Sequence, residues 1–454
     1  MPPCTGKKVE AGGFREWNTE NASMSKRVIV VGGGFTGLSA GYKLSRAGWH
    51  VTVVEKDDQL GGLAGTFALD GIQIEKFYHH WFTNDRWVMN LIDELGLNER
   101  VVIRPTRTGI YYANQVYKLS TPMDLLKFRA IPWSDRIRLG WMTLAARRVK
   151  DWRPLEELTA KEWLLKLGGE KVFEVVWGPL LNGKFGPYAD KISAVWFWNK
   201  LKLRGGSRGK DGSENLAYFR GGFGVLAQAM ADKIRDNGGV VQTGVTAEKV
   251  REKSGRVVGV STKAGDMEAD VVLATNHLPQ YRDLLPDSMP DDYIKQVTRI
   301  DYLANVCLVL VTKRSLSNLY WTNVNDPNFP FVGVIEHTNF EPPETYKGKH
   351  ILYLSRYLPQ EDELFGMGKD NLLEYAMPHI KRMFPEFEEQ WILDTYLWKA
   401  RYSQPIVEKH YSRNIPAFQT PLQGLYLSTM AQIYPEDRGT NYAIREGFRA
   451  ADML

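Results

Sequence analysis

Residues 26–55 read KRVIVVGGGFTGLSAGYKLSRAGWHVTVVE and contain a complete strand–helix–strand pattern. The β-branched run at 26–31 predicts a short buried strand that ends at three successive glycines. Apolar residues then recur at helical spacing until Gly48, where a helix would stop. His50–Glu55 predicts a second strand. Because a helix joins the two strands, we expect them to lie parallel in one sheet.

The glycine run GGGFTG at 32–37 satisfies the G-x-G-x-x-G pattern of dinucleotide-binding turns. In such turns the first glycine permits the tight turn, the second lets the backbone approach a pyrophosphate, and the third lets the helix pack closely. The N–H groups of the following helix then point at the phosphates. An acid at the end of the second strand, here Glu55, can accept hydrogen bonds from a ribose. The candidate cofactor-binding residues of this unit are Gly32, Gly34, Phe35, Thr36, Gly37, Glu55 and Lys56.

This fingerprint alone does not separate NAD from FAD, but the residues that follow do. Residues 59–67 read QLGGLAGTF, and the glycine pair Gly61-Gly62 stands at an E-x5-G-G spacing from Glu55. The pattern resembles that of a large FAD-binding family that includes amine oxidases, protoporphyrinogen oxidases and phytoene desaturases. The resemblance implies that FAD is the cofactor and that this pair lies near its flavin end.

Further segments resemble the same family over most of the chain. They are RGGFGVL at 220–226, TGV at 243–245, VVLAT at 271–275 and GTNYAIREG at 439–447. In the family the last segment starts a helix whose N-terminus faces the flavin pyrimidine ring, where its dipole would stabilise negative charge on reduced flavin. The resemblance adds these cofactor-binding candidates: Gly61, Gly62, Leu63, Val245, Thr275, Met430, Gly439, Thr440 and Asn441.

The chain also departs from the family pattern at three places. After the expected last strand, residues 428–431 read STMA where the family usually has Gly-Asp. Tyr442 stands where a glycine is common, and Leu63 stands where an arginine often follows the glycine pair.

An unusual histidine-aromatic segment, EKFYHHWFTND, occupies residues 75–85. His79 and His80 would point to opposite sides of an extended chain, so one is expected to face the cofactor, where a histidine can move protons. The alternative is that one histidine packs in the core and the other is solvated. The segment also resembles the P-H-I-F-H-T-N run of UDP-galactopyranose mutases, which implies that His80 lies beside the flavin.

The stretch PEDR at 435–438 precedes the expected last helix. The Arg438 guanidinium could bind an anionic substrate or an FAD phosphate bidentately, or it could form a local salt bridge with Glu436 or Asp437. The catalytic candidates are His80 first and His79 second, with Tyr442 and Arg438 expected on the opposite side of the same cavity.

These patterns predict an α/β protein with α+β inserts, in a two-domain FAD-binding Rossmann-type fold with a discontinuous substrate domain. Val240–Val250 with Arg256–Ser261, and Ala269–Ala274, are expected to return to the sheet of the first two strands. The predicted divisions are a mobile tail at 1–23, an FAD-binding domain at 24–102, 215–300 and 398–454, and a substrate domain at 103–214 and 301–397.

Composition narrows the classes of partner and location. The 454 residues carry a formal net charge of +5, which is too weak and too dispersed to indicate a nucleic-acid partner. Two cysteines cannot form a disulfide framework, and no Cys/His cluster has metal-site spacing, so no metal is expected. No apolar run is long enough to span a bilayer, and residues 1–23 do not read as a secretory signal. We therefore expect a reducing, cytoplasmic location.

Residues 127–153 form a basic stretch with interleaved tryptophans. They contain eight Lys and Arg residues against Asp135 and Asp151. Three interpretations stay open: peripheral contact with the inner face of a membrane, an ordinary charged helix face, or a surface that binds a phosphate-bearing or isoprenoid small-molecule substrate.

The leading functional hypothesis is an FAD-dependent oxidoreductase that transfers hydride from a substrate carbon to flavin N5. The first alternative is a flavin-dependent sugar-nucleotide mutase that resembles UDP-galactopyranose mutase. The second is a non-catalytic relative of the fold such as a GDP dissociation inhibitor, against which the intact glycine motifs argue.

Overall fold

The structure of this chain is a computed structural model that describes residues 26–206, 214–327 and 329–454. The tail expected at 1–23 lies outside the described residues. The strands are β1 Arg27–Val31, β2 His50–Val54, β3 Thr66–Leu69, β4 Ile72–Glu75, β5 Trp81–Phe82, β6 Val101–Thr106, β7 Thr108–Tyr112, β8 Gln115–Lys118, β9 Glu214–Phe219, β10 Val240–Gln242, β11 Ala247–Lys253, β12 Arg256–Thr262, β13 Gly265–Glu268, β14 Val271–Ala274, β15 Tyr302–Thr312, β16 Trp321–Val324, β17 Gly333–Glu336, β18 His350–Leu358, β19 Ile392–Pro405 and β20 Leu425–Leu427. The α-helices are α1 Phe35–Arg46, α2 Arg86–Glu94, α3 Pro122–Leu126, α4 Trp133–Arg148, α5 Ala160–Val172, α6 Gly178–Phe185, α7 Ala194–Gly206, α8 Phe223–Asp236, α9 Leu278–Leu284, α10 Asp291–Thr298, α11 Glu363–Gly366, α12 Lys369–Met383 and α13 Thr440–Met453.

The first strand–helix–strand unit forms the centre of a parallel five-stranded sheet. The strand order is β10-β2-β1-β14-β20, and all four pairings are parallel. Val28–Val31 of β1 are buried, which explains their continuous apolar run. One face of the sheet packs on helices, and the other packs against β11 and β12. Helices α8 and α13 pack against α1. The predicted α/β fold class is confirmed.

One expectation about this sheet is wrong. Only β10 of the segment 240–261 returns to it, and β11 and β12 form a separate antiparallel sheet with β13. Gly244 has φ +70°, a left-handed conformation that turns the chain away directly after β10. The sequence of β11, AEKVREK, has only one buried residue, Val250, so this strand suits a half-solvated antiparallel sheet better than a buried parallel one.

A second large sheet draws on both long stretches between the pieces of the first. Its order is β19-β15-β18-β17-β16-β7-β8, so β7 and β8 join strands that lie about 200 residues later. Strand β15 is buried along its whole length. Helices α3 to α7 follow β8 in the chain, and α6 contacts β18 and β16 of this sheet. The boundaries predicted at 102/103, 214/215 and 397/398 fall within or at the edge of β6, β9 and β19.

Within the described ranges, no helix has both the length and the apolar character needed to cross a bilayer.

Candidate functional site

The turn between β1 and α1 has the geometry that its glycines predict. Gly32 has φ +114°, and a Cβ there would lie 2.7 Å from Thr275 Oγ1. A Cβ on Gly37 would lie 2.0 Å from the Gly32 carbonyl oxygen. Both positions therefore require glycine, because any side chain there would clash with other atoms of the protein. Thr275, on the neighbouring strand's end, donates its hydroxyl to the Val31 carbonyl at 2.9 Å and holds the turn in place.

Gly34 differs from both because it faces open space. A Cβ on Gly34 would meet no described atom within 4 Å. It is the N-cap of α1, and no described side chain caps that helix end. The N–H groups of Phe35, Thr36 and Gly37 in the first turn have no acceptor within the helix, and the helix dipole favours an anion there. The turn is thus an open backbone cradle for a phosphate group.

The second glycine pair lies directly against this cradle. The Gly61 N–H donates to the Gly33 carbonyl at 2.9 Å, and Gly34 and Gly61 form a parallel bridge. Gly61 and Gly62 have φ +105° and +57°, which favours glycine at both positions. The chain then passes from the cradle to Leu63, which lines a large cavity.

Glu55 lies beside the cradle but is more engaged than the sequence predicts. Its two carboxylate oxygens accept the N–H groups of Gly33 at 2.7 Å and Asp57 at 3.0 Å. Burial raises the pKa of Glu55, although these two hydrogen bonds oppose the shift. Sequence reasoning assigned no role to Gly33, for which the only signal was its place in the glycine run. The Lys56 side chain is exposed and forms an ion pair with Asp57 at 3.3 Å.

Val245 and Met430 lie apart from the cavity. The Val245 N–H donates to the Glu55 carbonyl at 2.9 Å, so Val245 borders the cradle. Met430 starts a short 3-10 turn after β20 and is absent from the cavity lining.

A cavity of about 360 Å³ brings together three distant parts of the chain. Residues 77–82 and Asp85 line one part, the start of α13 lines another, and α6, α7 and the second sheet line most of the rest. The sequence-predicted residues that line it are Leu63, His79, His80, Arg438, Gly439, Thr440, Asn441 and Tyr442. The structure therefore collects all four catalytic candidates around one space.

The two histidines differ in their surroundings. His79 Nδ1 lies 2.5 Å from the Phe77 carbonyl oxygen, and burial lowers the pKa of His79 to about 4. His79 is therefore neutral at pH 7. His80 Nδ1 and the Tyr320 hydroxyl share a hydrogen bond of 2.9 Å. The rings of Phe82, Tyr320 and Trp321 surround His80 edge-on.

The start of α13 is fixed by side chains that were expected to contact a cofactor. Thr440 Oγ1 accepts from Trp81 Nε1 at 2.6 Å. Asn441 Oδ1 accepts the N–H groups of Trp87 and Val88 at 2.9 and 3.2 Å. These contacts leave the backbone of the first helical turn, with Gly439 as N-cap, as the part that can face a ligand. The Arg445 guanidinium lies over the Tyr442 ring, 4.9 Å from its centre.

A cluster of charges that the sequence did not reveal lies next to Arg438. Lys200 Nζ of α7 lies 2.5 Å from Asp437 Oδ2, and Arg438 Nη2 donates to the Tyr357 hydroxyl at 2.8 Å. Lys184 Nζ of α6 lies 4.8 Å from the centre of the Tyr357 ring. The local salt bridge considered for Arg438 with Glu436 does not form, because Glu436 pairs with Arg445 at 3.0 Å.

Burial and the neighbouring charges shift the pKa values of groups in this cluster. Burial alone would raise the pKa of Asp437, but Lys200, Lys184 and Arg438 hold it well below its usual range. Burial lowers the pKa of Lys184 to about 7, with Lys200 and Arg438 adding to the effect and Asp437 opposing it. Strongly perturbed groups of this kind in a cavity are typical of functional sites.

Comparison with known proteins adds independent information. A family model described as flavin containing amine oxidoreductase matches residues 35–454. Coproporphyrinogen III oxidase of Propionibacterium freudenreichii is 28% identical over 182 residues, which cover 37% of this chain and 33% of that protein. The 15-cis-phytoene desaturase of Glycine max is 23% identical over 432 residues, which cover 88% of this chain and 74% of that protein.

Among solved structures, reduced UDP-galactopyranose mutase superposes with a TM-score of 0.72 at 15% identity. The superposition covers 94% of this chain and 95% of the mutase chain. At that identity it shows a shared fold.

Proposed function

The chain belongs to the flavin-containing amine oxidoreductase family, and we propose that it is an FAD-dependent enzyme that oxidises a small molecule held in the cavity beside α13. Family membership confirms the resemblance drawn from the glycine motifs and identifies a flavoprotein oxidoreductase. We propose that the flavin is FAD and that the reaction is a hydride transfer. The residues that take part in it are also proposed.

The observation that carries the proposal is the continuity between the cradle and the cavity. Gly34 presents open backbone at one end, and Gly61-Gly62 lies against it. Leu63, the next residue, already lines the cavity. A cofactor with a pyrophosphate in the cradle and a ring system in the cavity fits this layout, and FAD has both parts. NAD does not fit, because the family to which the chain belongs is described as flavin-containing.

The chemistry that FAD supplies when bound is acceptance of hydride from a substrate carbon at N5. The backbone N–H groups at the start of α13, behind Gly439, would stabilise negative charge near their end of the cavity. His80, held by Tyr320, is placed to hold or move a proton of the substrate. The aromatic lining, including Trp196 and Trp321, would exclude water.

A sugar-nucleotide mutase that uses reduced flavin without net redox change is the second candidate. The charge cluster of Lys184, Lys200 and Arg438 favours it, because a nucleotide sugar carries a pyrophosphate. The segment around His80 also resembles the mutase run.

We further propose a reducing, cytoplasmic location, which suits the free and buried thiol of Cys307.

Anaerobic mixing of the FAD-loaded protein with amines, polyprenyl compounds and nucleotide sugars separates the two candidates. Loss of the oxidised flavin absorbance on adding one class supports the oxidoreductase and identifies its substrate class. Isomerisation of a nucleotide sugar only after dithionite reduction would replace the oxidoreductase by the mutase.

A further inference from the structure

The charge cluster at Arg438 contains more hydrogen-bond donors than acceptors. The buried atoms Arg438 Nε, Trp196 Nε1 and Trp177 Nε1 have no hydrogen-bond partner, and all three residues line the cavity. Buried donors are nearly always satisfied in folded proteins. The polar atoms of this cavity wall are therefore incompletely paired within the described residues, the acceptor Asn305 Oδ1 included.

The charges around this point are also unbalanced. Lys184, Lys200 and Arg438 face a single carboxylate, Asp437, and Lys184 makes no ion pair with any described residue. The Lys184 ammonium instead lies 4.8 Å from the centres of the Trp196 and Tyr357 rings. A cation left without a counter-ion inside a cavity is costly unless an anion joins it.

Two further carboxyl groups line the cavity but are placed elsewhere. Asp85 belongs to the start of α2, where its Oδ2 accepts the Phe82 N–H at 2.9 Å. Glu214 lies on β9. Neither lies within ion-pair distance of the three cations. Burial raises the pKa of Asp85 to about 6, and the charge of Lys200 opposes that shift from a greater distance. The excess positive charge is therefore local to the meeting point of α6, α7 and residues 437–438.

We propose that Lys184, Lys200 and Arg438 bind an oxyanion group of the substrate, a phosphate or a carboxylate, and so orient its reacting carbon in the cavity. This inference rests on the proposed function and narrows its substrate to the class of anionic small molecules. Arg438 offers the planar pair of donors that suits either group.

The test uses FAD-loaded protein and two probes, inorganic pyrophosphate and succinate. Flavin absorbance is read first, so that failure to hold FAD, which would sink the proposed function, is seen before any probe is added. Binding is then followed by tryptophan fluorescence, since Trp177 and Trp196 lie at the site. We expect saturable binding of at least one probe, and the preferred probe distinguishes a phosphate from a carboxylate.

The variant Lys184→Met should weaken that binding by about tenfold or more, because it removes a buried charge partner. Lys202→Met is the matched control: Lys202 lies on α7 but is exposed and does not line the cavity. Both variants should retain their flavin. Equal affinities in wild type and Lys184→Met, absence of binding by either probe, or release of FAD by pyrophosphate would each overturn the proposal.

A second inference comes from helix α4, which has apolar residues on two faces. Leu139, Met142 and Ala146 are buried against the protein. Trp133, Ile137, Trp141 and Leu144 recur at helical spacing on the other face and are between 49% and 57% exposed. An ordinary surface helix would carry polar residues there. Contiguous exposed apolar residues of this kind mark interaction sites.

Helix α3 and the surrounding charges extend this face. Leu126 of α3 lies beside α4, because its carbonyl accepts from Arg136 Nη1 at 2.6 Å. Leu126 and Met123 are also exposed. We call Met123, Leu126, Trp133, Ile137, Trp141 and Leu144 the α3–α4 surface. We call the exposed basic residues of 127–153 the basic border, namely Lys127, Arg129, Arg138, Arg147, Arg148, Lys150 and Arg153. The Arg148 guanidinium lies 4.8 Å from the centre of the Trp141 ring.

We propose that the α3–α4 surface docks on an anionic lipid bilayer. The tryptophans would enter the interface, where an indole can keep its N–H near water. The basic border would pair with lipid phosphates. The only acids in 127–153, Asp135 and Asp151, already pair with Arg138 and Arg153. Helix α4 also packs on α7, whose residues Trp196 and Lys200 line the cavity, so docking would bring the cavity close to the bilayer.

Co-sedimentation with phosphatidylcholine vesicles, with and without phosphatidylglycerol, tests this. Wild type should bind the anionic vesicles, and added salt should weaken binding. Trp133→Ser combined with Trp141→Ser should lose most of it. Trp87→Ser, an exposed tryptophan on α2, is the control and should bind as wild type does. No vesicle binding by wild type, equal binding by all variants, or a dimer abolished by the same two substitutions would overturn the proposal.

Discussion

Lys200 Nζ of α7 lies 2.5 Å from Asp437 Oδ2, and this ion pair joins the helical insert to the turn that precedes α13. Asp437 is buried, whereas Lys200 keeps about a third of its side chain exposed to the cavity side. The pair therefore fixes one wall of the cavity to the helix end that faces it.

Replacing Lys200 should destabilise the fold. Lys200→Met leaves the Asp437 carboxylate buried without its nearest cation. The loss in unfolding free energy should be smaller than the about 3–5 kcal/mol of a fully buried pair, because Lys200 is partly exposed and Lys184 and Arg438 remain. The depressed pKa of Asp437 makes its contribution present above its ordinary pKa and lost as pH falls. Urea denaturation at pH 7 and at pH 2, below the ordinary pKa of the carboxyl group, measures both; an unchanged midpoint at pH 7 would contradict the role given to the pair.

Two glycines of the first turn, Gly34 and Gly37, should separate folding from cofactor binding. Gly34→Ala adds a Cβ that meets no described atom, so the variant should fold normally and yet bind FAD more weakly. Gly37→Ala would place a Cβ 2.0 Å from a carbonyl oxygen and should destabilise the protein. Thermal denaturation and flavin content, measured on both variants, check this. Normal flavin content in a bulkier Gly34→Val variant would show that no phosphate approaches Gly34.

His80 should affect turnover more than folding. His80→Ala should keep FAD and its melting temperature but lose about 10²–10⁴ in rate, the usual contribution of a proton-transfer group. Tyr320→Phe, which removes the hydroxyl bonded to His80, should shift the pH profile with a smaller loss. The exposed His50, outside the cavity, gives the control His50→Ala. If His80→Ala retained full turnover at every pH, the proton-transfer role would be lost.

Glu75 should make stability fall as pH rises from about 4.5 to about 7. It is buried, accepts from the Phe223 N–H at 2.8 Å and from the Tyr218 hydroxyl at 3.0 Å, and burial raises its pKa to about 7. The folded state thus holds the proton more tightly than the unfolded state. The contribution of Glu75 to the free energy of unfolding is fully present below about pH 4.5. It is lost as pH rises through about 7, and the total loss is about 3 kcal/mol. Glu75→Gln should flatten the melting temperature across this window, whereas a slope identical to wild type would exclude Glu75 as its source.

Local patterns predicted the part of the fold that depends on local residues. The β1–α1–β2 unit, the strand at Val271–Ala274 and the C-terminal helix are all present, because periodicity, glycine spacing and caps act within a few residues. The hairpin β11–β12 was assigned to the wrong sheet, since its partner strands depend on the turn at Gly244. Pattern alone does not show which way such a turn leads.

Only part of the candidate site could be predicted from the sequence, for the same reason. The glycine motifs and His80 could be found because each is a short run with its own chemistry. Lys184 and Lys200 lie far from Asp437 in sequence, and only the packing of α6 and α7 brings them together. In the basic stretch, the sequence could not tell that Trp133 and Trp141 are exposed while Trp152 packs against Tyr434 at 5.0 Å.

The cofactor that the purified protein binds decides whether the cradle and the cavity hold FAD. The measurement is the absorbance spectrum of the purified protein after incubation with excess FAD and removal of the unbound fraction, with the mass of the molecule released by denaturation. If FAD occupies the cradle and the cavity, the protein shows an oxidised flavin spectrum and releases a molecule with the mass of FAD. A colourless protein, or release of FMN or NAD in place of FAD, would contradict it.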